Sequence, residues 1–112
     1  MADLDTMREK INVFIESRDW KQFHDPKNLA ISLQLEASEV LELFQWTKDN
    51  QIKAGKGKEV ADELADVFYW LLLLANHYNI DLVQALDKKM DQNEKKYPIE
   101  KSKGKADKYT DL

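Results

Sequence analysis

Cysteine is absent from this 112-residue chain, glycine occurs three times, proline twice and histidine twice. Without cysteine there is no disulfide, no thiolate metal site and no cysteine nucleophile. The two histidines, His24 and His77, do not lie three residues after a glutamate. The Glu-x-x-His pattern of carboxylate-bridged di-iron bundles is therefore missing, which sets iron aside. The longest uncharged apolar run, Val67 to Ala75, is about half the length a membrane-spanning helix needs. The first residues, MADLDTMREK, hold no apolar stretch resembling a secretory leader, so a cytoplasmic protein without a membrane partner is expected. No strand-like alternation and no internal repeat is present.

Apolar residues make up 43% of the chain and charged residues 34%, at a net charge of −4. This is the profile of one folded domain, 1–112, small enough to gain from oligomerisation. The charge is unevenly placed. Between Lys88 and Lys108 there are eight lysines against four acids, a surplus of +4, which leaves −8 on the rest. A net acidic chain without a nucleic-acid motif excludes duplex DNA or RNA as the expected partner. An acidic body with a lysine-rich end suits a polyanion that also carries a metal, although a solvated lysine surface has the same composition.

The few helix breakers mark out four helices, and an all-α, four-helix antiparallel bundle is the predicted fold. Asp3 or Asp5 caps a first helix to about Ser17, with Met7, Ile11, Phe14 and Ile15 on one face. Arg18 to Lys27 connects. Asp25-Pro26 starts a second helix, predicted to reach about Trp46. Thr47 to Lys58, containing Gly55 and Gly57, reads as a mobile loop. A third helix follows from about Glu59 to His77; its second half, VFYWLLLLA, predicts burial all round. Asn79 ends it. Asp81 caps a fourth helix to about Lys96, with Leu82, Ala85, Leu86, Lys89 and Met90 inward, and Pro98 opens a tail, 98–112, expected to be extended.

Two acidic pairs sit inside the second and third of these helices: Glu36-x-x-Glu39 and Glu63-x-x-Asp66. A spacing of three puts both members of a pair on one helix face. That face is flanked by apolar residues, Leu29, Leu33, Val40 and Leu43 for the first pair, and Val60, Val67 and Trp70 for the second. Carboxylates drawn toward a core repel one another and lose hydration unless they share a cation. A hard divalent ion with oxygen ligands, above all Mg2+, with Mn2+ as the alternative, answers that need. At about 1.5 Å per residue, both pairs lie roughly 6 to 15 Å from the connecting loop, so antiparallel helices would bring them to one depth. Either pair alone is common on solvated helices; two at matching depth predict a single site.

This pattern resembles the all-α nucleoside triphosphate pyrophosphohydrolases, the MazG-like superfamily. Further blocks resemble its dCTP pyrophosphatase branch: Arg18-Asp19-Trp20, Gln22-Phe23-His24, Pro26, Asn28-Leu29, Glu42-Leu43-Phe44-Gln45-Trp46, Lys89-Met90-Asp91, Asn93, Tyr97-Pro98 and Lys108 through Leu112. The resemblance implies Mg2+-dependent hydrolysis of a nucleoside triphosphate between its α and β phosphates, in nucleotide-pool sanitation. It also implies a homo-oligomer, dimer or tetramer, with the site completed at a subunit interface. Glu36, Glu39, Glu63 and Asp66 would then be the metal-binding and catalytic set, with Glu39 the choice for general base.

By the same resemblance Trp20 and Trp46 would stack on the base, and Asn93 would read its edge. Lys89 and Lys96 would contact phosphates, and His24 and Trp70 would line the substrate site. The tryptophans and His24 would equally serve as packing residues. Two positions depart from the branch. Trp70 stands where a tyrosine is usual, and Ile11 where vertebrate-like members carry histidine; both bear on base and sugar preference. The alternatives are a broad-specificity hydrolase of the same superfamily and a non-catalytic helical oligomer whose acidic cluster binds a cation or partner.

Overall fold

In the computed structural model, which describes residues 3–112, the chain is helical, with no strand among the described residues. It divides into two compact units, one running to Tyr78 and the other Asn79–Leu112. The first holds α1 (Leu4–Glu16), a 3-10 turn (Lys21–Phe23), α2 (Pro26–Glu42) and α3 (Gly57–His77). The second holds α4 (Leu82–Lys96), α5 (Ile99–Ser102) and a 3-10 turn at Tyr109–Asp111. No described helix is long and apolar enough to cross a membrane.

Three of the helices start on an aspartate. The Asp3 carboxylate accepts from the Thr6 N–H at 2.9 Å, Asp25 from Asn28 at 2.8 Å, and Asp81 from Val83 and Gln84 at 3.0 and 3.1 Å. Each satisfies amide donors that an open helix terminus leaves without partners. Helix α1 stops because Asp19 turns left-handed, at φ 55°. The Trp20 N–H can then reach back to the Ile15 carbonyl at 3.2 Å, the closure usually made with glycine. Asn79, also left-handed at φ 55°, follows α3.

Six boundaries or environments differ from expectation. Helix α2 ends at Glu42, not near Trp46, because its last turns tighten. Leu43, Phe44 and Gln45 donate to carbonyls three residues back, and Trp46 swings to φ 64°. Helix α3 begins at Gly57, two residues early. The loop between them is tied down by the Lys53 N–H on the Leu43 carbonyl at 2.8 Å and by the Thr47 hydroxyl on the Phe44 carbonyl at 2.7 Å. The apolar second half of α3 is not buried all round. Leu72, Leu73 and Ala75 are buried, while Phe68 and Leu71 are exposed, since α1 and α2 cover only part of its circumference.

In the second unit no residue of α4 is buried, and Leu86 and Met90 are exposed. The tail past Pro98 is partly folded: α5 supplies one helical turn, and Tyr109 meets Tyr97 edge-on at 5.9 Å with the Lys96 ammonium 4.9 Å from its ring centre.

The centre of the first unit is Ile15 of α1, Leu29 of α2 and Leu73 of α3, with Ile11, Tyr69, Trp70 and Leu74 packed against them. Helices α2 and α3 form the main contact and run antiparallel: Leu29 clusters with Leu73 near one end, and Leu43 shares a cavity with Glu59 near the other. Leu29→Ala is expected to destabilise the fold by about 2–5 kcal/mol through the cavity it leaves. Asp25→Ala should cost only about 1 kcal/mol, the loss of one cap. Denaturant melts followed by circular dichroism measure both.

Candidate functional site

The antiparallel register decides where the acidic pairs go. Each step of three residues up α2 is matched by an equal step down α3, so Glu36 and Glu39 meet Asp66 and Glu63 at one level. One carboxylate oxygen from each of the four lies within 4.8 Å of the others. Glu36 and Glu63 are partly buried, Glu39 and Asp66 exposed. Oε2 of Glu36 and Oε2 of Glu63 are closed off from solvent, and neither has a hydrogen-bond partner.

Closeness shows in the protonation. Burial, then Glu39 and Asp66, pushes the Glu36 carboxyl above its ordinary value, partly offset by a hydrogen bond from Trp70. Glu63 is pushed up to about 7, first by the Glu39 carboxyl, close enough to share a proton, then by desolvation and the charges of Glu39, Asp66 and Glu36. Among the described residues the one ion pair is Arg8 with Asp5 on α1, so no lysine or arginine neutralises this cluster directly. Shielded carboxylate oxygens without donors, in an all-oxygen set, fit a hard divalent cation.

Beside the cluster lies a cleft of about 580 Å3 that includes Glu36, Asp66, Trp20 and Trp70. Its volume falls in the range of small-molecule sites. Phe14 and Tyr69 form part of its aromatic wall, with Phe14 edge-on to Trp20 at 5.7 Å and to Tyr69 at 6.4 Å, and Tyr69 edge-on to Trp70 at 5.0 Å. The Arg18 guanidinium lies 3.9 Å from the Phe14 ring centre and donates to the Phe14 carbonyl at 2.9 Å, which braces that wall. Lys10, Ile11 and Ala65 complete the lining.

Of the residues singled out from sequence, the four carboxylates, Trp20 and Trp70 come together here. His24 does not line the cleft. Its ring meets Trp70 edge-on at 5.7 Å, and it borders a separate cavity of about 240 Å3 with Asn76 and His77. Trp46 is 91% exposed and is not among the cleft residues. Lys89, Asn93 and Lys96 occupy one face of α4 in the second unit. Phe14 and Tyr69 escaped notice because an aromatic on an apolar stripe reads as core. Lys10, Lys53 and Lys56 read as ordinary surface charge.

A family model described as MazG-like matches residues 31–112. The chain is 44% identical to dCTP pyrophosphatase 1 of Mus musculus and 38% identical to that of Homo sapiens, over 97% of its length and 67% of each relative. Its fold is similar to the crystal structure of a pyrophosphatase from Archaeoglobus fulgidus, with a TM-score of 0.81 and 36% identity over 88% of this chain and 94% of that one.

A proton that the folded chain keeps on Glu63 is released by the unfolded chain above its ordinary pKa of 4.5. Stability without a divalent ion should therefore fall as pH rises from about 4.5 to about 7. Thermal melts in chelator across that window check this. Glu63→Gln should flatten the dependence, and excess Mg2+ at the high end should restore the melting temperature.

Proposed function

The chain belongs to the MazG-like family, within its dCTP pyrophosphatase branch, and on that footing we propose that it hydrolyses dCTP, or a related pyrimidine nucleoside triphosphate, to the monophosphate and pyrophosphate. The observation that carries the proposal is the junction of four convergent carboxylates with an aromatic cleft. Glu36, Glu39, Glu63 and Asp66 would hold Mg2+, with Mn2+ as a substitute. When bound, the ion would neutralise the triphosphate and polarise its phosphoryl oxygens.

The chain's own residues do the rest. The faces of Trp20 and Trp70 accept the base, and Tyr69 and Phe14 keep water from it. Glu36 and Asp66, shared between the cleft and the cluster, set the phosphates against the carboxylates. Water adds across the α–β bridge. Its oxygen bonds to one phosphorus, and the bridging oxygen leaves with the other together with the bonding electron pair. The water's proton passes to a carboxylate, which we assign to Glu39 because that carboxyl approaches both Glu36 and Glu63. His24, edge-on to Trp70, holds the ring in place. Lys89, Asn93 and Lys96 would add phosphate and base contacts from one face of α4.

A homo-oligomer, dimer or tetramer, belongs to the same proposal. Ile31 and Leu35 on α2 and Leu64, Phe68 and Leu71 on α3 are exposed at helical spacing, an apolar stripe of the kind that pairs with another copy. Trp46, held out on its left-handed turn, would reach the cleft of a neighbour, so that the partner subunit's Trp46 completes the stack. A cytoplasmic role in nucleotide-pool sanitation belongs to the same proposal.

Ile11 and Trp70, the two departures from the branch pattern, both line the cleft. That favours, as a second reading, a broader base preference on the same reaction. A panel of triphosphates with Mg2+, assayed for pyrophosphate, separates the two: preference for dCTP supports the first and equal rates on all bases the second. Pyrophosphate from none of them would remove the enzyme assignment. Glu63→Gln should lower kcat by roughly 100-fold or more, as loss of a charge-stabilising group does. Trp46→Ala should raise KM about 5- to 150-fold, equivalent to ~1–3 kcal/mol of base stacking.

A further inference from the structure

The four carboxylates lie between two cavities of unlike chemistry. Glu36 and Asp66 face the aromatic cleft, whereas Glu39 and Glu63 border a second cavity of about 200 Å3, closer to the α2–α3 loop, together with Lys53 and Lys56. That volume is below the roughly 300–1,000 Å3 of a whole ligand site, so the cavity suits one end of a ligand. Aromatic cleft, acidic cluster and lysine cavity thus follow one another in order. A nucleoside triphosphate carries a base, a reacting bridge and a dianionic end in the same order.

We propose that Lys53 and Lys56 bind the two terminal phosphates of the substrate and then the pyrophosphate product. The inference rests on the proposed reaction and adds to it the direction in which the substrate lies. Backbone bonds fix both lysines across one turn. The Lys53 N–H donates to the Leu43 carbonyl at 2.8 Å, and the Lys56 N–H donates to the Lys53 carbonyl at 3.2 Å. Between them Gly55 sits at φ 76°, a conformation that side chains resist. Neither ammonium is spent on a carboxylate: among the described residues no acid lies within 4 Å of either.

Glu39, Glu42, Glu59 and Glu63 also border the cavity, and Oε2 of Glu59 is shielded without a partner. Four carboxylates against two ammoniums repel a free polyanion. The lysines therefore grip phosphate only when a divalent ion has offset the acids, which ties occupancy of this cavity to that of the metal site. Lys–phosphate contacts of this kind are charge-assisted and strong for their size.

The test is calorimetric titration of pyrophosphate, and separately of dCMP, into the intact protein in Mg2+, for the wild type and the Lys53→Ala/Lys56→Ala double variant. Pyrophosphate affinity should fall about tenfold or more, while dCMP affinity stays within about twofold, tenfold corresponding to ~1.4 kcal/mol. Lys53→Arg/Lys56→Arg should retain most of the affinity, and Lys48→Ala, on the same loop, should change nothing. Unchanged pyrophosphate binding in the alanine variant, or an equal loss of dCMP binding, would overturn the assignment. Failure of the underlying reaction would be seen separately, as a wild type that releases no pyrophosphate from any triphosphate.

Discussion

Mutual repulsion among four carboxylates is the constraint around which the first unit is arranged. One oxygen from each lies within 4.8 Å of the others, and Oε2 of Glu36 and Oε2 of Glu63 are closed to solvent without a donor. A lysine or arginine could have relieved this cheaply, and among the described residues none is paired with the cluster; the hydrogen bond from Trp70 offsets it only in part. The protein instead keeps the repulsion and raises the pKa of Glu36 and Glu63. Packing of Leu29, Leu73 and Ile15 a few turns away holds the helices together against it. Concentrating strain of this kind at a site and stability elsewhere is how functional sites are commonly accommodated. The same register that sets the carboxylates level also places an aromatic cleft on one side of them and a lysine-bearing cavity on the other.

Helical periodicity and carboxylate spacing carried much of this in the sequence itself. The three-residue spacing fixes a shared helix face, and equal distance from a common loop fixes equal depth, so Glu36, Glu39, Glu63 and Asp66 could be joined before any fold was known. Capping aspartates at positions 25 and 81, a cap at Asp3 or Asp5, and the stop at Asn79 were equally readable; that Asp3 is the one used and that Asn79 turns left-handed came from the structure. What escaped were features decided by contacts between distant residues. Nothing local says that α2 tightens after Glu42, because Leu43, Phe44 and Gln45 are all good helix formers or neutral; the turn is imposed by the Lys53 bond to the Leu43 carbonyl. Phe14 and Tyr69 obey the apolar pattern of their helices and so look like core. The exposure of Phe68 and Leu71 contradicts their hydropathy, because burial depends on what stands opposite.

Trp46 makes the same point from the other direction. A tryptophan in a helix is an ordinary packing residue, but one at φ 64° and 91% exposed is held in a conformation that costs energy and gives nothing to its own core. With the exposed stripe on α2 and α3, it leaves apolar surface that the core of the first unit does not use. Family membership gives this geometry its chemical meaning, since the carboxylates alone specify a cation and the aromatic cleft alone specifies a flat ligand.

The four carboxylates owe their positions to helix register, not to the segment joining the helices. Residues between Glu42 and Gly57 can therefore be added or removed without moving Glu39 away from Glu63. Chain-closure entropy resists such changes weakly, about 0.6 kcal/mol for each doubling of loop length. A single residue inserted between Glu36 and Glu39 would, by contrast, rotate the second carboxylate about 100° around α2. The loop can therefore change length one residue at a time, within what Lys53 and Lys56 require, while the helices around the carboxylates tolerate no insertion. The carboxylate-bearing part of this molecule is held by helix register, and the loop is held only by what its own backbone bonds and side chains do.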